Sequence, residues 1–101
     1  MSINNAAKPF EVKRYPKREE LPAKVVPLFE ALLEDLNDSK GKPFGRKWKN
    51  CGHYKQLGDN FYHCHLTPSH VVVWKIVEED GVTICKIVYA GTREKVPTRS
   101  K

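Results

Sequence analysis

Phe61-Tyr62-His63-Cys64-His65-Leu66, then Val71-Val72-Val73-Trp74-Lys75-Ile76-Val77, then Val82-Thr83-Ile84-Cys85-Lys86-Ile87-Val88-Tyr89 is the stretch that decides the fold. Each run is rich in β-branched and aromatic residues. The last two are joined by Glu78-Glu79-Asp80-Gly81, whose Asp-Gly end favours a tight reversal. Three consecutive antiparallel strands are therefore expected. Side chains alternate across a strand, so Phe61, His63 and His65 share one face while Tyr62, Cys64 and Leu66 share the other. Two imidazoles then stand side by side. Because imidazole titrates near neutrality, such a pair suits proton transfer, metal ligation or contact with a phosphate backbone, the plain alternative being two solvated histidines.

Working outward, Lys8 to Tyr15 reads as a short first strand in which Phe10 and Val12 alternate with Glu11 and Lys13, and Pro16 ends it. Val25, Leu28, Phe29, Leu32, Leu33 and Leu36 then follow the spacing of an amphipathic helix. Pro22 and Pro27 interrupt its start, which predicts a short first helix and a longer one beginning near Pro27, stopped by Asn37, Asp38 and Gly41. Residues 39–60 read as a long irregular connection broken by Gly41, Pro43, Gly45, Gly52 and Gly58. Trp48 and Tyr54 within it suit stacking on a base, the alternative for Trp48 being an anchor of the loop on the core. The sum is an α+β domain, with two N-terminal helices packed on a four-stranded, mainly antiparallel sheet whose other face stays available.

A chain of 101 residues has room for one modest core, so residues 1–101 are read as one domain with flexible tails at 1–7 and 97–101. No signal-peptide pattern or membrane-length apolar run is present, and the expected compartment is the cytoplasm. Cys51, Cys64 and Cys85 form an odd set without framework spacing, which predicts reduced thiols, with Cys64 and Cys85 in the core. The net charge of +6 is unevenly spread. Lys40, Lys42, Arg46, Lys47, Lys49 and Lys55 occur between residues 39 and 55 without an acid, whereas residues 25–38 carry Glu30, Glu34, Asp35 and Asp38 without a base. Arg93, Lys95, Arg99 and Lys101 add a second basic cluster. A positive side for a polyanion follows, or else a solvated basic loop.

The element order, together with Tyr62-x-x-His65-Leu66, the strand Val71 to Val77 and the ending Ala90-Gly91-Thr92-Arg93-Glu94, resembles the RelE/ParE superfamily of bacterial toxins. The likeness is closest to YafQ-like and RelE-like ribosome-dependent messenger-RNA endonucleases. It implies a type II toxin that inhibits translation by cleaving messenger RNA on the ribosome, without a cofactor or metal, and that forms a hetero-oligomer with a cognate antitoxin. By the same resemblance His63 and His65 match a strand-borne His or Lys pair, Arg93 an Arg or His at the end of the last strand, and His53 a further histidine ahead of the pair. Cleavage through the 2′-hydroxyl needs a base, an acid for the leaving 5′-oxygen and a cation for the phosphorane. The expected roles are His65 as base, His53 or His63 as acid and Arg93 as cation, with Arg46, Lys47, Lys49 and Lys55 holding the backbone. RelE-like enzymes carry an arginine where this chain has Val71, and YafQ-like enzymes an acid where it has Ser69; His70 is the candidate that compensates. No aromatic residue follows Arg93. ParE-like members with this fold inhibit DNA gyrase instead. Two further alternatives are a structural zinc site from Cys51, His53, His63 and His65, and a silent RNA-binding domain.

Overall fold

In the computed structural model, which describes residues 10–13, 21–42, 48 and 51–95, the elements run β1 (Phe10–Lys13), α1 (Val26–Ser39), β2 (Cys51–His53), β3 (Phe61–Thr67), β4 (His70–Glu79) and β5 (Val82–Thr92). A single 3-10 turn, Arg93–Lys95, follows β5. The sheet order is β1-β5-β4-β3-β2, with β2 to β5 antiparallel and β1 parallel to β5. Asp80 and Gly81 close the β4–β5 hairpin with positive φ angles of 54° and 79°, the mirror-image turn whose twist matches that of the strands.

The expected α+β architecture and antiparallel run are present, but the sheet has five strands rather than four. The addition is β2, only three residues long with Gly52 at its centre, so it carries no alternation that the sequence alone reveals. The helices also differ from expectation: among the described residues there is one. Between Pro22 and Val26 the chain makes a turn, in which the Val25 and Val26 amides donate to the Pro22 carbonyl at 2.8 and 3.2 Å, and it runs straight into α1. Pro27 sits in the first turn, where its missing N–H has no partner to lose. The segment before Pro22 that would extend a first helix, the tails 1–7 and 97–101, and Arg46, Lys47 and Lys49 lie outside the described residues.

Helix α1 buries Phe29, Leu32 and Leu36, with Val25 just ahead of it, at i, i+4, i+7 and i+11. Leu28 was expected on this stripe but is 39 % exposed. The helix ends where Lys40 turns left-handed at φ 59°, and the Lys40 and Gly41 amides both reach back to the Leu36 carbonyl, the latter at 2.8 Å. Opposite the helix stripe lie Tyr62, Cys64, Leu66, Val72, Trp74, Cys85, Ile87 and Ala90 of the sheet, and together they form the core. Two indoles fasten the helix end: Trp48 Nε1 donates to Asp35 Oδ2 at 2.6 Å, and Trp74 Nε1 to the Gly41 carbonyl at 3.0 Å. Trp48 thus anchors its loop to the core.

The cysteines do not stay reduced as a set. Cys51 and Cys64 face each other in the β2–β3 register with Cα atoms 4.1 Å apart and are joined by a disulfide. Cys85 alone is free, and burial pushes its thiol up to about 12, so it is an inert core residue.

Candidate active site

Alternation in β3 is strict: Tyr62, Cys64 and Leu66 are buried, while Phe61, His63 and His65 are half-buried on the side away from the core. The His63 and His65 rings stand edge to face with centroids 5.5 Å apart. Both line a cavity of about 590 Å³, together with His53, Tyr54, Gln56, Val71, Arg93 and Glu94. Register explains the floor. Val71 is paired with His65 of β3 on one side and with Gly91 of β5 on the other, which sets it on the histidine face between the two strands.

His63 is perturbed by its surroundings. Its pKa is lowered from the ordinary 6.5, chiefly by burial and then by the charge of His65, while the nearby backbone of Gly52 and His53 pulls weakly the other way. Its Nδ1 is buried, and no hydrogen bond closes onto it. At neutral pH this ring is therefore an uncharged imidazole with a lone pair to offer. Tyr54, just past β2, packs against it with ring centroids 5.2 Å apart and is itself buried, which raises its phenol pKa. The Tyr54 amide bonds to the Phe61 carbonyl at 2.8 Å, fixing this wall to β3.

The other expected residues divide. Arg93 reaches the cavity from the 3-10 turn and is exposed there. His53 borders the cavity, but its ring rests on Tyr62 at 4.7 Å, a residue of the helix-facing side of β3. His70 is not among the lining residues. Its Nδ1 lies 3.0 Å from Thr67 Oγ1, and that oxygen also accepts from the Ser69 and His70 amides, so the imidazole belongs to the β3–β4 turn. Lys55 is exposed in the turn after β2. Gln56 and Glu94 were not foreseen from the sequence; Tyr54 was, as a ring that suits stacking on a base, but its place beside His63 follows from its parity with Gly52, which only the β2 register supplies.

The zinc alternative loses its donor set. Cys51 is held in the disulfide and the His53 ring is turned to Tyr62. Among the described residues no three His, Cys, Asp or Glu side chains stand close enough together to hold a metal.

No protein-family model matches the chain, and no curated protein matches it. Solved structures do. A YoeB/ParE toxin from Agrobacterium tumefaciens superimposes with a TM-score of 0.55 at 14 % identity, covering 70 % of this chain and 76 % of that one. A metal-bound toxin from Helicobacter pylori gives 0.54 at 19 %, covering 90 % and 100 %, and a conserved hypothetical protein from the same organism gives 0.51 at 18 %, covering 84 % and 96 %. None of the three is described as YafQ-like. The helix, the antiparallel run β2 to β5 and the cleft on its far face are thus set in the fold of the YoeB/ParE-type toxins, the fold implied by the RelE/ParE resemblance.

Proposed function

We propose that this protein is the toxin of a toxin–antitoxin pair and that it cleaves messenger RNA on the ribosome, in the cytoplasm. The observation that carries this reading is the convergence of His63, His65 and Arg93, from a strand and from the turn after another strand, on one cavity.

The burial of His63 favours the reverse of the expected roles, in which His65 was the base and His53 or His63 the acid. An imidazole kept uncharged at neutral pH takes the 2′-hydroxyl proton, and its partner His65 delivers a proton to the departing 5′-oxygen. The 2′-oxygen attacks phosphorus, the bond to the 5′-oxygen breaks, and a 2′,3′-cyclic phosphate and a 5′-hydroxyl result. Arg93 meets the charge that gathers on the non-bridging oxygens, for which its planar fork is suited. Lys55 and the basic residues Arg46, Lys47 and Lys49 supply backbone attraction in this proposal.

Paired induction of the wild-type chain and His65→Ala in a bacterial host, followed by mapping of messenger-RNA 5′ ends, tests it. New ends inside translated codons that vanish in the variant are expected. Growth arrest with intact messenger RNA rejects the nuclease and favours a gyrase-directed toxin.

A further inference from the structure

Arg93 opens the 3-10 turn that follows β5, and its backbone is held by two hydrogen bonds. The peptide group joining Thr92 to Arg93 is pinned at both ends. Its carbonyl accepts from the Tyr89 hydroxyl at 2.7 Å, and its N–H donates to the Ser69 carbonyl of the β3–β4 turn at 2.9 Å. With both poles of the peptide fixed, its plane cannot rotate, and the direction in which the chain enters the 3-10 turn is set.

Tyr89 reaches that carbonyl because of two further features. The β4–β5 register shifts between Val73 and Trp74: Trp74 pairs with Ile87 but Val73 with Tyr89, leaving Val88 as the extra residue of a bulge. One inserted residue swaps the faces beyond it, so Ala90 joins the core while Tyr89 and Gly91 fall on the histidine side, in line with Val73 and His63 and with Val71 and His65. The Tyr89 ring then leans along its own strand across Gly91. A Cβ on Gly91 would stand 2.8 Å from the Tyr89 hydroxyl oxygen and 3.1 Å from its Cζ, so the ring would have to shift from this position to admit one.

We infer that Tyr89 is a positioning residue for Arg93, holding the Thr92–Arg93 peptide while Gly91 leaves it the space to do so. The inference rests on the reading of Arg93 as the cation of the site. It needs no contact between Tyr89 and substrate, and Tyr89 does not line the cavity.

The test uses the full chain as wild type, Tyr89→Phe, Arg93→Ala and the double variant, with two readouts. In a reconstituted translation mixture, Tyr89→Phe is expected to lower kcat about tenfold or more with KM within about twofold, because a small misplacement of a charge-stabilising group is felt in the transition state. In the Arg93→Ala background the same change is expected to add nothing. Additive losses, or a Tyr89→Phe variant with wild-type kcat, overturn the inference. Nitrogen relaxation of the Arg93 side-chain Nε–H supplies the second readout: increased mobility is expected in Tyr89→Phe and in Gly91→Ala, and unchanged mobility overturns the inference. Should the wild-type chain cut no RNA, the nuclease reading fails by itself and the relaxation measurement alone decides the role of Tyr89.

Discussion

His63 carries a sign that can be checked at the residue scale. Its folded pKa lies below the ordinary 6.5, so as pH falls the unfolded chain takes up this proton before the folded one does. The contribution to stability is fully present above about pH 6.5 and is lost as pH falls below it, a decline that His63→Gln should flatten in denaturation curves recorded across that range. The same shift places the acidic limb of kcat/KM for cleavage below pH 6.5, where a solvated histidine would place it near that value; a limb at or above 6.5 would remove His63 as the base. The pair His63 and His65 was legible because strand alternation is a local rule. The place of His53 was not, since the face it shows depends on its partner, and Tyr62 opposite it belongs to the helix side.

Individual elements show where sequence patterns carry physical information and where they run out. The helix spacing at Val25, Phe29, Leu32 and Leu36 identified the buried side of α1, but apolarity alone placed Leu28 there too. Leu32→Ala, at a fully buried position, should cost about 2–5 kcal/mol, and Leu28→Ala should stay within about 0.5 kcal/mol, as measured by chemical denaturation. β2 was invisible for want of length, and with it went the disulfide, because no spacing rule links Cys51 to Cys64 until their strands are in register. The bond closes a short loop, with a sequence separation of 13, and chain entropy assigns such a loop about 3 kcal/mol. Adding dithiothreitol to the wild type should lower stability by up to that amount and leave a Cys51→Ser, Cys64→Ala double variant unaffected. A wild type indifferent to reductant would show that the bond does not form in solution.

At the scale of the whole molecule, the net charge of +6 on 101 residues acts beyond any one contact. RNA affinity measured by titration should fall on the order of a hundredfold between about 50 and 200 mM salt if Arg46, Lys47, Lys49, Lys55 and Arg93 each engage a phosphate, at a slope of about 0.7 in log units per phosphate. A flat response would mean that binding does not run through the phosphate backbone. The charge asymmetry was plain in composition, yet composition does not say that the helix closes one face and leaves the histidines on the other; long-range pairing does. The two tryptophans fall on the closed side. Trp48 and Trp74 are 6 % and 0 % exposed, and their indole N–H groups donate to Asp35 near the C-terminal end of α1 and to Gly41, two residues past it. Their fluorescence therefore watches the helix dock on the sheet. Emission should shift to the red when that helix lifts and stay still when a ligand enters the cleft behind it, so one optical signal separates an unfolded variant from a folded one that has merely lost its chemistry.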